Sequence, residues 1–537
     1  MAELLKYLIV QGQPPARTRK SCETQNPLIF NLLQGMPMSL AIIFSRAKLG
    51  INAPQVTVEV HLSNGLPGLS IVGLPETAVK ESKDRVRSAI LNSHLEFPAR
   101  RITVNLAPAD LPKDGGRFDL PIALGILAAS GQIPREPLAN YEFLGELALS
   151  GELRSLNAAL PAALACGDAK RDLIISTANA QEAALSSITR VFGAENLLQV
   201  CAHLHGREHL FQATPPASPE RLAPKLDIRD VKGQWQAKRA LEIAASGGHN
   251  LLLYGPPGTG KTMLASRLPG ILPSLSEREM LDVAAIYSVA AQQPDHNMHL
   301  RPFRAPHHTA SAIALVGGGS YPRPGEISLA HGGVLFLDEL PEFSRHVLEV
   351  LREPLESGEV RISRARAQAS YPARFQLVAA MNPCPCGYQG SDQRPCRCSP
   401  DQIRRYRDRI SGPLLDRIDM HVLVTALRQG EMHAHASGDS SADIRTRVEQ
   451  TRSRQLARQG KTNSQLSAPE LEQVCYLKET DRQLLDQAIN KLGLSTRAYH
   501  RVLKLARTLA DMAGREQLTT GDITEALSYR TLDRARA

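Results

Sequence analysis

No apolar run in this 537-residue chain approaches the roughly 20 residues that a membrane-spanning helix requires, so no transmembrane helix is read. The opening stretch MAELLKYLIVQGQPPARTRK lacks both a leading basic region and a small-residue cleavage site, which argues against a secretory signal. A cytoplasmic location without a membrane partner is the expectation. No segment recurs at a fixed period, which excludes a repeat array. Strong overall charge is also missing: +9 spread over this length is weak support for a nucleic-acid partner, so local clusters must carry that argument.

What is present is enough for several cores. At 58.5 kDa and 42% hydrophobic residues the chain exceeds what one core organises. Residues 1–37 read as a poorly patterned extension or a mis-started segment, Met36 and Met38 being possible internal starts. From about 38 to 213, strand-like alternation in LAIIFSRAKLG and QVTVEVHLSNGLPGLSIVGL, followed by helical spacing through Val79, Val86, Ala89 and Ile90, predicts a mixed α/β domain. A Pro/Ser-rich linker is expected at 214–230. Over 231–427, apolar strands (LLLY, VLFLDE, FQLVAAMN) alternate with helical stretches, predicting an α/β core with a parallel sheet. Residues 428–537 read as a helical lid, with an apolar stripe through Val502, Leu505, Ala506 and Leu509 and a capping box at Thr519 and Asp522.

The most specific motif is GPPGTGKT, comprising Gly255, Pro256, Pro257, Gly258, Thr259, Gly260, Lys261 and Thr262. It matches the phosphate-loop pattern in full and sits between a strand and a helix. Glycines let backbone N–H groups approach phosphates, Lys261 reaches the β/γ-phosphates, and Thr262 ligates Mg²⁺. ATP and Mg²⁺ are the expected cofactors. VLFLDE then offers Asp338 for the Mg²⁺ shell and Glu339 to polarise the attacking water. Asn382, ending LVAAMN, is a candidate to hold that water, although Asn before Pro is also an ordinary turn.

These residues resemble the AAA+ ATPases of the magnesium-chelatase type, and within them the YifB/ComM group linked to competence. The resemblance runs from about Met38 to the C-terminus. FRAPHHTASAIALVGGGSYPRPGEISLAHGGVLFLDE looks like the helix-2 insertion and Walker B segment of that group. SGPLLDRIDMH places Arg417 where relatives carry the arginine finger, and LSTRAYHRVLKLAR places Arg497 where they carry the sensor-2 arginine. Alone, each could be a surface salt bridge. The resemblance implies a ring of like subunits, read as a homo-hexamer formed around nucleotide and DNA.

The first domain resembles the Lon-protease catalytic fold of S5 type, on PADLPKDGGRFDLPIALGILAASGQI and FLGELALSGELRSLNAALPAAL. Lon relatives place a nucleophilic Ser just after K-D-G and a Lys after the G-E-L strand. Here those positions fall on Gly116 or Arg117 and within Ala158-Ala159-Leu160, where no amine exists to activate a nucleophile. Proteolysis is disfavoured, and a scaffold or DNA-guiding role is expected.

GEVRISRARAQASYPARFQ carries Arg361, Arg364, Arg366 and Arg374 with no acid between Val360 and Phe375. A turn near Gln368 would make a hairpin, which in related helicases points into the central pore, where phosphates would meet it. A solvated basic hairpin is the bland alternative. NPCPCGYQGSDQRPCRCSP puts Cys384, Cys386, Cys396 and Cys398 into fifteen positions of a loop with little apolar matter to fold around. A structural Zn²⁺ held by four thiolates would fix its shape, and reversible disulfides or plain thiols are the alternatives.

Together these features predict an ATP-hydrolysing DNA motor. The resemblance implies a helicase for branch migration and integration of single-stranded DNA in natural transformation and homologous recombination, with single-stranded and branched DNA and recombinase-linked proteins as partners. The rival is a chelatase-like or protein-remodelling ATPase. Chelatase motor subunits are expected to lack the Lon-like domain and the cysteine cluster.

Overall fold

The structure is a computed structural model of the chain that describes residues 39–532 apart from 74–78, 80, 114, 217–225, 293–298, 320–321, 365–367, 392–393, 428–437, 493–494 and 531. The expected extension at 1–37, most of the linker and Arg366 lie outside the described residues.

Alternation in LAIIFSR and QVTVEVHLS sends every second side chain to one face. Strands β1 (Leu40–Arg46) and β2 (Gln55–Ser63) pair antiparallel and bury Val56, Val58 and Val60. They join β3 (Gly68–Val72), β4 (Arg101–Ala107), β5 (Tyr141–Phe143), β8 (Asp172–Ser176) and β9 (Val191–Ala194) in a mixed seven-stranded sheet of order β3-β4-β2-β1-β5-β8-β9. A separate short hairpin, β6 (Glu146–Leu147) with β7 (Leu153–Arg154), lies beside it. The helix Asp119–Ala129 is apolar all round, and all its residues are buried against this sheet. Gly125 permits that approach, since a Cβ there would stand 2.4 Å from Val60 Cγ2. Val79 is buried and helical, and the helix Ser82–Asn92 that follows buries Val86, Ala89 and Ile90.

The second unit is the expected parallel sheet. Its order is β11 (Phe303–Arg304), β14 (Val334–Leu337), β17 (Gln376–Met381), β10 (Leu251–Tyr254) and β18 (Met420–Leu423), every pairing parallel. The strands read as continuous apolar runs because both faces are covered. Two ribbons stand off this sheet: β12 (Gly317–Gly318) with β13 (Arg323–Pro324), and β15 (Glu359–Ser363) with β16 (Gln368–Pro372). Ser363 pairs with Gln368, so the two strands form the hairpin expected around Gln368.

The lid is helical: Ser441–Gln459, Ala468–Val474, Glu479–Leu492, Thr496–Met512 and Thr520–Ser528. Val502, Leu505, Ala506 and Leu509 are buried, and Thr519 with Asp522 forms the capping box read from sequence. His249 Nε2 meets Thr508 Oγ1 at 2.8 Å, and Gln455 Nε2 donates to Ser246 O at 3.2 Å, fastening lid to core. The first domain also docks on the core. Ala158 N donates to Ser288 O at 3.1 Å, and a Cβ at Gly50 would meet Ser370 O of β16 at 3.2 Å.

Candidate active site

The GPPGTGKT loop leaves the C-terminal end of β10 and enters the helix Lys261–Ile271. Gly260 caps that helix at φ +88, a left-handed conformation that suits glycine, and a Cβ at Gly255 would strike Val424 O at 2.1 Å. The loop therefore presents backbone rather than side chains to an incoming phosphate, at a helix N-terminus. Lys261 Nζ donates to Gly255 O and Pro256 O, both at 2.8 Å, and to Asn382 Oδ1 at 3.2 Å. Burial pushes its ammonium below the ordinary value, against the opposing pull of Asp338 and Glu339. Thr259 Oγ1 closes the loop on Pro256 O at 2.9 Å.

Thr262 Oγ1 donates to Asp338 Oδ2 at 2.7 Å across β10 and β14, so the two expected Mg²⁺ groups already face each other. Asp338 Oδ1 accepts from Glu339 N at 2.9 Å. Glu339 itself is held at φ +53, an uncommon conformation for a residue with a Cβ. His308 Nδ1 lies 3.3 Å from Glu339 Oε2, and the His307 ring packs on it at 4.1 Å. Sequence reading gave His308 no role. The histidine doublet directly after β11 was the signal that could have found it.

Asp338, Glu339, Lys261, Thr262 and Asn382 are thus brought to one end of the sheet. Arg417 is not. β18 runs parallel to β10 with Met420 opposite Leu251, and Asp419 N donates to Asn250 O at 3.0 Å. Arg417 precedes β18 and so stands at the N-terminal end of the sheet, the length of a four-residue strand, about 13 Å, from the loop that follows Tyr254. Its side chain is 6% exposed and pairs with Glu356, while Nη1 donates to Pro413 O at 2.7 Å. Burial holds its guanidinium below the ordinary value despite Glu356, with Arg352, Arg497 and Arg501 adding repulsion. Arg497 is exposed in the same electropositive group, and its neighbour Ser495 reaches Asp416 Oδ2 at 3.5 Å. Buried Asp419 anchors this corner. Burial would raise its pKa, yet Arg501 and His249 hold the carboxyl far below the usual range.

On the ribbon, Arg361 and Arg364 are exposed, whereas Val360, Ile362, Ala369 and Tyr371 face inward. The nearest acid to Arg361 is Glu359, 3.7 Å away and itself half exposed. Arg364 lies over β12, where a Cβ at Gly318 would meet its guanidinium nitrogen at 2.9 Å. Arg374 sits at the root of the ribbon, its N–H donating to His331 Nδ1 at 3.0 Å and its carbonyl accepting from Gly332 N at 2.7 Å.

The four clustered cysteines converge. Their Sγ atoms all lie within 4.8 Å of one another, with Cys384–Cys386 at 3.4 Å, Cys384–Cys396 at 3.7 Å and Cys386–Cys396 at 3.6 Å. Thiolates about 2.3 Å from a tetrahedral Zn²⁺ stand about 3.8 Å apart, so the set fits that ion with no open position left for catalysis. Cys386 N donates to Cys398 Sγ at 3.4 Å, which also suits a thiolate. Cys166, Cys201 and Cys475 are buried singly, and Cys22 lies outside the described residues.

In the first domain, the positions where a Lon-like dyad would stand hold no nucleophile or amine. Arg117 is buried, and its Nη2 donates to Asn157 O at 2.7 Å, joining the position after K-D-G to the one before Ala158. A side chain at Gly116 would strike Glu146 Cγ at 2.5 Å.

Residues 227–432 match the family model for magnesium chelatase, subunit ChlI, and 438–530 match its C-terminal model. Residues 58–179 match a model described as subunit ChlI of Mg-chelatase, so the first domain does not by itself separate this chain from proteins of that description. Competence protein ComM of Haemophilus influenzae is 55% identical over 504 residues, covering 93% of this chain and 98% of that protein. The uncharacterized protein YifB of Escherichia coli is 53% identical over 500 residues, with coverage of 93% and 98%. The magnesium-chelatase 38 kDa subunit of Rhodobacter capsulatus is more distant, 27% identical over 187 residues, or 32% of this chain and 53% of that protein. With its phosphate loop, carboxylate pair, parallel sheet and helical lid, the chain belongs to the magnesium-chelatase-type AAA+ ATPases, in the YifB/ComM group.

Proposed function

We propose that this chain is the subunit of a cytoplasmic ring motor, a homo-hexamer, that hydrolyses ATP to move on DNA and drives branch migration while single-stranded DNA is integrated in transformation and recombination. Recombinase-linked proteins are its expected partners. The observation that carries this reading is the ribbon β15–β16. It offers exposed Arg361 and Arg364 on a rigid stem rooted in β17, whose far end supplies Asn382 to Lys261. Phosphate contacts at one end of β17 and nucleotide contacts at the other give a short mechanical path. Likeness to competence protein ComM over nearly its full length supports the pathway.

In the proposed site, Lys261 and the loop hold ATP, and Thr262 with Asp338 holds Mg²⁺. Glu339 polarises the attacking water and Asn382 positions it. Arg417 and Arg497 would serve the nucleotide of a neighbouring subunit, since both stand at the opposite end of the sheet from their own phosphate loop. The four cysteines hold a structural Zn²⁺. The first domain acts as scaffold or DNA guide, because Gly116 or Arg117 and Ala158-Ala159-Leu160 stand where a protease would need its nucleophile and amine.

The test is the ATPase rate with and without single-stranded, duplex and branched DNA, alongside strand displacement on a three-stranded branch. Stimulation with ATP-dependent displacement is expected. Robust turnover indifferent to every DNA would instead favour a chelatase-like or protein-remodelling motor, the reading that the names of the matching family models suggest.

A further inference from the structure

The cysteine loop is built onto the phosphate loop. Asn382, which accepts from Lys261 Nζ at 3.2 Å, stands two residues before Cys384, a fully buried thiol. The chain then turns at Gly387, whose N–H closes on Cys384 O at 2.9 Å. Gly387 is buried against the phosphate loop, and a Cβ there would stand 2.7 Å from Pro257 Cδ and 3.2 Å from Cγ. On the return, the helix Pro400–Arg407 ties the loop from behind, with Arg407 Nη2 donating to Gln389 Oε1 at 2.9 Å and Nε to Pro383 O at 3.4 Å.

Between these ties, besides the cysteines, the loop is Gly, Tyr, Gln, Ser, Asp, Arg and Pro. Tyr388, with Arg394 over its ring at 5.5 Å, is its single aromatic side chain, and it has no apolar cluster of its own. Its shape therefore depends on what joins the four sulfurs. A loop released from that junction regains its backbone entropy and withdraws the surface that Pro257 packs on. It also frees the segment that aims Asn382 at Lys261.

We propose that Cys384, Cys386, Cys396 and Cys398 form a zinc-held brace of the phosphate loop, so that nucleotide affinity depends on a metal that touches no nucleotide. The inference rests on the zinc and phosphate-loop readings above and adds the coupling between them. It assigns the cluster a role inside the subunit, through the contact of Gly387 with Pro257.

The experiment titrates a fluorescent ATP analogue into the full-length protein while zinc content is read by atomic spectroscopy, as purified, after chelation and after zinc is returned. Two variants accompany it. Gly387→Ala adds a methyl against Pro257 and keeps all four cysteines. Gly390→Ala sits in the same loop at φ +73, close to the +84 of Gly387, but with nothing within 4 Å of the added methyl. Both variants carry the strain of alanine at positive φ, and only the first carries the collision.

One zinc per chain is expected, with affinity falling about tenfold on its removal and returning with zinc. Gly387→Ala is expected to keep its zinc and lose about tenfold in affinity, and Gly390→Ala to keep both. Affinity indifferent to zinc, or equal affinities in the two glycine variants, would overturn the brace while leaving a zinc site standing. Absence of zinc from the purified protein would remove the metal and the brace together. Zinc-loaded protein that binds no nucleotide would remove the phosphate-loop reading, and the brace with it.

Discussion

Arg417 is paired with Glu356, three residues before β15 begins at Glu359. The candidate finger and the stem of the basic ribbon thus share one short segment, at the end of the sheet away from the chain's own phosphate loop. If the arginine serves a neighbour, two inactive variants should complement. Arg417→Ala keeps a sound phosphate loop, and Lys261→Ala keeps a sound finger. Each alone is expected to lose about a thousandfold in turnover, and mixed rings to recover a measurable fraction. A mixture as inactive as its parts would place Arg417 outside the catalytic interface.

The Thr262–Asp338 contact at 2.7 Å predicts separable defects around it. Lys261→Ala should abolish nucleotide binding. Glu339→Gln should bind ATP as the parent does and hydrolyse it about a hundredfold more slowly, as loss of the group acting on water implies. Equilibrium binding and single-turnover hydrolysis check both.

Glu339 is held by His308 at 3.3 Å. A carboxylate so engaged is held toward the imidazole in one orientation. Replacing His308 by Ala should raise DNA-free turnover roughly fivefold, the worth of about 1 kcal/mol for one partly exposed polar contact. Initial rates without DNA decide, and a fall would assign His308 a supporting role in hydrolysis.

For the ribbon, Arg361, Arg364 and Arg366 replaced together should weaken single-stranded DNA binding and make the slope of log K against log salt shallower by about 2, at 0.7 per lost phosphate contact. Basal ATPase should persist. An unchanged isotherm would take the ribbon out of the DNA path.

His331 supplies a pH prediction. Burial, with Arg374 nearby, pushes its imidazole down to about 4 in the folded chain, where its neutral Nδ1 accepts from Arg374 N. The unfolded chain binds the proton near the ordinary 6.5. Stability contributed by the neutral ring is therefore present above about 6.5 and lost as pH falls toward 4, by about 3 kcal/mol. His331→Asn, which keeps an acceptor but cannot titrate, should flatten that part of the urea-midpoint profile.

The local chemistry was legible in the sequence because it is written in adjacent residues. GPPGTGKT names its own loop, VLFLDE its strand and carboxylates, and the stripe Val502, Leu505, Ala506, Leu509 its helix. The hairpin around Gln368 was legible from the alternation in VRIS and QASYP on either side of it. His308 escaped because a histidine doublet has no meaning until β11 and β14 lie side by side.

By itself the sequence determined most of the elements, the phosphate-loop motif and the grouping of four cysteines, since spacing along the chain and side-chain chemistry suffice for these. Only the tertiary structure decided which end of the sheet each residue occupies. The parallel register of β18 on β10 sends Arg417 away from Lys261, and the turn at Gly387 sets the cysteine loop on Pro257. The physical reason is that strand pairing and loop packing join residues over a hundred positions apart, and no local pattern encodes the direction in which they meet.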